Sequence, residues 1–134
     1  DEVITLMNQM VQEFGNIIQI ESIGKTYENR DIFMLKINAT DYFNKKGVKT
    51  KPDKKALLMT GAHHSRELVS VQMPLYSILD ILHGVVHQDQ ETLNMLKFNQ
   101  VWAIPFVNVD GSYTIYEHYE QTGELLLKRK NNDR

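Results

Sequence analysis

Histidine and glutamate stand three residues apart at His64 and Glu67, inside the segment Gly61–Ala62–His63–His64–Ser65–Arg66–Glu67. An imidazole and a carboxylate at that separation can converge on one ion if the chain turns between them. They are also donors that zinc takes in hydrolytic sites, where three protein ligands leave a fourth position open for water. The chain has no cysteine, so any metal here must be held by histidine and carboxylate. Taken alone, such a pair arises readily by chance. Its surroundings add weight, because the apolar run Ala56–Leu57–Leu58–Met59–Thr60 precedes it and a strongly periodic apolar stripe follows it. The end of a buried strand is where α/β folds place their sites.

The positioning elements follow from periodicity. Val3, Leu6, Met7, Met10, Val11, Phe14, Ile17 and Ile18 recur at three- and four-residue steps and predict a helix over 2–20 that ends near Gly15. Gly24–Tyr27 and Asp31–Ile37 read as a hairpin about Glu28–Asn29–Arg30, with Asn able to take a positive φ in the turn. Residues 38–55 are polar and breaker-rich, as in a surface loop. The runs at 56–60 and 101–108 suit strands buried on both faces. Between them Leu68, Val71, Leu75, Ile78, Leu82 and Val85 predict a crossover helix, so the two strands should pair in parallel. Pro74 either kinks that helix or stands in its first turn. The expected fold class is α/β, a mixed β-sheet flanked by helices.

At 134 residues with 42% hydrophobic and 24% charged content, the chain is the size of one domain with a core of its own. A formal charge of -2, from 15 basic and 17 acidic residues, gives no field for nucleic acid. Lys45–Lys55 and Lys128–Lys130 are local basic stretches, the first read as a solvated loop. No apolar run approaches the roughly twenty residues of a membrane span, and no signal peptide is evident. Asp1 in place of Met reads as a processed or excerpted start.

Three segments then carry a family resemblance in order. Gly61–Leu68 resembles the Gly-x-His-x-Arg-Glu-Trp segment of the zinc metallocarboxypeptidases, the carboxypeptidase A/B family, with Leu68 in place of Trp. Ile23–Ile32 resembles the family's Ile-Gly-x-Ser-x-Glu-Gly-Arg hairpin, with Asn29 for Gly, and Asn108–Val109–Asp110–Gly111 resembles its Asn-Pro-Asp-Gly turn. Lys128–Arg129–Lys130–Asn131 is similar to Trp-Arg-Lys-Asn, at a longer distance from Asp110 than in pancreatic-type enzymes. The resemblance covers nearly the whole chain and implies that 1–134 is the N-terminal portion of one carboxypeptidase catalytic domain.

By that resemblance His64 and Glu67 are the first two zinc ligands, Arg66 lines the substrate cleft, and Arg129 polarises the scissile carbonyl. The third ligand, the clamp for the terminal carboxylate and the glutamate base belong to later segments of the family's domain. The implied parent is a zinc metallocarboxypeptidase acting on peptide or protein C-termini, extracellular or vesicular, and the isolated chain is expected to be inactive. The missing C-terminal half or a swapped partner chain would cover its open edges. A non-catalytic binding or structural protein that keeps this part of the fold is the alternative. Elsewhere His63 reads as a neighbour of the ligand, His83 and His87 as a polar pair at a helix C-terminus, and His118 as a loop residue. Trp102, Phe106, Met7, Met10, Met59 and Met73 read as core fillers.

Overall fold

The computed structural model describes residues 2–132. Helix α1 (Glu2–Phe14) buries Met7 and Met10 and ends as expected, but Ile17 and Ile18 do not continue its apolar face. Ile17 N–H closes the turn onto the Phe14 carbonyl at 2.8 Å, and Ile18 opens strand β1 (Ile18–Lys25). The β-branched residues Ile17, Ile18 and Ile20 suit a pleated surface better than a helix. Pairing settles the choice, since Ile18 lies opposite Ile37 of the antiparallel β2 (Asp31–Ile37). The hairpin turn holds Asn29 at φ 62°, the left-handed conformation that asparagine tolerates.

Residues 38–55 are not all loop. Thr40–Lys45 forms a short helix, α2, because Phe43 is buried at 3% exposure and draws the segment onto the core. Nor is the lysine stretch wholly solvated. Lys54 Nζ donates to the Leu96 carbonyl at 2.7 Å, and burial lowers its pKa.

Strand β3 (Lys55–Thr60) leads through the loop 61–68 into α3 (Val69–Val86), then α4 (Gln90–Phe98) and β4 (Asn99–Ile104). β3 and β4 pair in parallel, as the crossover pattern requires, and β4 pairs antiparallel with β2. The sheet order is β1-β2-β4-β3, a mixed α/β sheet. Val71, Leu75, Ile78, Leu82 and Val85 form the buried stripe of α3. The helix begins before Pro74, which therefore lies inside it and leaves the Ser70 carbonyl without its helical donor. α4 was not anticipated. Asp89 caps it, accepting from Thr92 N–H at 2.8 Å, and Leu93 and Leu96 are its buried face.

The run at 56–60 is not buried on both faces. β3 is an edge strand, and Leu57 and Leu58, which point to opposite faces, are 60% and 52% exposed. Met73 on α3 is exposed rather than a core filler, while Trp102, Phe106 and Met59 are half-buried. α3 is 18 residues long with mean hydropathy 1.3, enough by length and composition alone to cross a membrane, and its buried stripe packs on the core. An apolar strand with one free edge is a template for pairing. Replacing Leu57 by Lys and Leu58 by Glu in the isolated chain is therefore expected to reduce self-association, read as a fall in apparent mass by light scattering; an unchanged mass would place the contact elsewhere.

Candidate metal and substrate site

Past the ends of β3 and β4 the backbone stays zipped. Gly61 N–H donates to the Ile104 carbonyl at 2.9 Å, Val107 N–H to that of Gly61 at 3.0 Å, and Asn108 N–H to that of Ala62 at 3.0 Å. Gly61 is wedged so tightly that a Cβ would collide with the Ser70 carbonyl and lie 2.7 Å from that of Pro105. Ala62 follows, fully buried, at φ 47°. That conformation costs an alanine roughly 1 kcal/mol. Ser70 holds it, its Oγ accepting from Ala62 N–H at 2.8 Å and donating to the Glu67 carbonyl at 2.5 Å.

The loop thus returns on itself across the two candidate ligands. Glu67 N–H donates to the His64 carbonyl at 3.0 Å, and His64 Nδ1 lies 2.9 Å from Glu67 Oε1. The side chains are 36% and 50% exposed, open enough to exchange that mutual contact for a shared cation. A nitrogen and a carboxylate oxygen so placed fit two positions of a zinc site. Among the described residues no group of three histidine, cysteine or acidic side chains could hold a metal. His63 Nε2 lies 2.8 Å from Thr60 Oγ1, and His63 lines the same cleft as His64.

His64 opens onto a cleft of about 440 Å³ whose lining includes Tyr27, Asn108, Asp110 and Arg129. The structure therefore brings His64 and Arg129 to one cleft, with Glu67 beside His64. Arg66 is exposed and outside that lining. His118 lies on helix α5 (Val109–Thr122), not in a loop, and His83 and His87 sit together at the end of α3 with ring centroids 4.1 Å apart and planes tilted by 45°.

Three buried polar residues that periodicity could not reveal hold this cleft. Ser65, fully buried, donates through Oγ to the Lys128 carbonyl at 2.8 Å and through N–H to the Arg129 carbonyl at 3.2 Å. Asn108 caps α5, accepting from Gly111 N–H at 3.1 Å while donating to the His63 carbonyl at 3.4 Å. Its Asn-x-x-Gly spacing before a helix was the available signal. Asp110 accepts from Thr26 Oγ1 at 2.7 Å, Glu28 N–H at 3.1 Å and Arg30 at 2.8 Å. Arg30 also pairs with Glu28 and stacks 3.9 Å from the Tyr113 ring centroid. Asn132 Nδ2 ties the far segment in, reaching Glu28 Oε1 at 2.6 Å and Thr114 Oγ1 at 2.8 Å.

A search against family models matches residues 3–134 to the zinc carboxypeptidase family. The chain belongs to that family. It is 32% identical over 130 residues to a zinc carboxypeptidase of Saccharothrix mutabilis subsp. capreolus, covering 97% of this chain and 27% of the relative. It is 28% identical over 120 residues to the inactive metallocarboxypeptidase ECM14 of Saccharomyces cerevisiae, covering 88% and 26%. Among solved structures, thrombin-activatable fibrinolysis inhibitor superposes with a TM-score of 0.75 at 20% identity, over 99% of this chain and 29% of that one. Carboxypeptidase A from Helicoverpa armigera gives 0.69 at 25% identity, over 98% and 28%. The chain therefore spans about a quarter of the length of these two curated relatives.

Burial opposes ionisation of Asp110, yet the hydrogen bonds from Thr26, Arg30 and Glu28 N–H outweigh it and lower its pKa below the ordinary aspartate value. A carboxyl depressed by folding stabilises the fold above its unfolded pKa, near ~4, and loses that contribution as pH falls through the folded value. Asp110→Asn is expected to cost about 2 kcal/mol at neutral pH, since Arg30 loses its buried partner. Denaturant unfolding at descending pH should narrow the gap between wild type and variant once pH falls below about 4, and close it only below the depressed folded value; a gap that persists in stronger acid would assign the loss to shape rather than charge.

Proposed function

We propose that this chain contributes two zinc ligands and an oxyanion-stabilising arginine to a peptidase that removes C-terminal residues from peptides. The observation that carries the reading is the convergence of His64 Nδ1 and Glu67 Oε1 to 2.9 Å beside a cleft that Arg129 also lines. Zinc held by His64, Glu67 and a third ligand from polypeptide beyond these residues supplies Lewis acidity toward water and the scissile carbonyl. The Arg129 guanidinium offers planar N–H donors to the negative charge that develops on the carbonyl oxygen. Arg66, exposed beside the ligands, engages the peptide beyond the scissile residue. The general base and the clamp for the terminal carboxylate come from outside the chain, as does the cover for the open edge of β3.

The complete polypeptide is expected to retain one zinc per chain after dialysis and to release C-terminal amino acids from peptides, with His64→Ala abolishing both. Arg129→Ala should lower kcat by about 10²- to 10³-fold, with a smaller change in KM. The isolated chain should show no turnover. Several relatives named inactive metallocarboxypeptidases favour a second reading, a non-catalytic binding protein on the same fold. Zinc retained at one per chain with no release of amino acids from any peptide would select it.

A further inference from the structure

We propose that Ser65 is a positioning residue that seats Arg129 against the metal loop, so that the two halves of the candidate site keep one geometry. Ser65 stands between the half-buried His64 and the exposed Arg66 and is itself fully buried, an unusual place for a hydroxyl. Every polar group it carries toward the neighbouring segment is used on the same short stretch. Its Oγ lies 2.8 Å from the Lys128 carbonyl and 3.4 Å from that of Lys130, and its N–H donates to the Arg129 carbonyl between them. The segment 124–131 has no helical or strand pairing of its own. Its register on the metal loop therefore rests on these bonds and on Asn132, one residue beyond it.

Space around Ser65 is closed as well. A Cβ placed on Gly111 would lie 2.8 Å from Ser65 Cβ and 2.9 Å from its Oγ, so the first turn of α5 backs the serine directly. With that wall behind it, the hydroxyl is directed at the 128–130 carbonyls. Ser65 does not enter the cleft lining; it acts through the backbone of Arg129, a residue of that lining. The catalytic part of the proposal rests on the peptidase reading of Arg129, whereas the clamp does not.

Trypsin supplies a direct readout, because Lys128, Arg129 and Lys130 are themselves cleavage sites and cleavage requires the segment to lift off. In the complete polypeptide Ser65→Ala is expected to speed cleavage at 128–130 about tenfold, the worth of one buried hydrogen bond, while cleavage within Lys45–Lys55 stays at the wild-type rate. Unchanged cleavage at 128–130 overturns the clamp, and so does equal acceleration at both places, which would make Ser65 a general core residue. In turnover, Ser65→Ala should lower kcat about tenfold with KM little changed, and should cost nothing further when Arg129 is already alanine. Equal losses in both backgrounds overturn the positioning role. A complete wild-type polypeptide that clamps the segment yet shows no turnover would sink the peptidase reading and leave the clamp standing.

Discussion

Gly61 occupies a point where three pieces of backbone meet: the end of β3, the carbonyl of Ser70 in the first turn of α3, and the carbonyl of Pro105 just past β4. No side chain fits there, and much of the site follows from that contact. Because the strand can run so close to α3 and to the end of β4, Ala62 is turned into a left-handed conformation and the next five residues fold back over it. His64 and Glu67 meet because of that reversal, not merely because three residues separate them. Strain of this kind persists only where the surroundings over-determine it, and Ser70 and Asn108 do so here.

A second layer of interactions fixes what faces the metal loop. Asp110 gathers the hairpin turn through Thr26, Glu28 and Arg30, and Asn132 brings the 124–132 segment to the same point. The segments that resemble the family's hairpin and its Asn-Pro-Asp-Gly turn are therefore one physical unit, a partly buried ion-pair network. Such a network adds little stability over an apolar alternative, but it sets one arrangement of three chain segments that have no pairing with each other. Ser65 performs the same service between the metal loop and the residues around Arg129.

Apolar side chains also meet solvent along β3 and α3. Leu57 and Leu58 on the edge strand and Val69, Met73 and Tyr76 on α3 are exposed apolar groups in the part of the sequence that looks most like a buried core. The run at 56–60 has the composition of an interior strand and the position of an edge. An interior strand needs neighbours on both sides and both faces, and β3 has a paired neighbour on one side only among the described residues.

Periodicity and local chemistry determined the α/β class, the hairpin with Asn29 in its turn, the crossover helix and the parallel pairing of its flanking strands, while His64 and Glu67 became candidates through their sequence context and the family resemblance around them. Each of these depends on residues close in sequence, where side-chain spacing translates directly into faces and turns. Tertiary structure alone decided that Ile17 and Ile18 leave the helix for the sheet, that Phe43 pulls part of a polar loop into α2, and that β3 lies at an edge. It also decided the roles of Ser65, Asn108 and Asp110, whose partners lie up to 84 residues away in sequence. Serine, asparagine and aspartate look alike in a sequence whether they face water or close a buried network. Only burial, which the whole fold sets, separates the two cases.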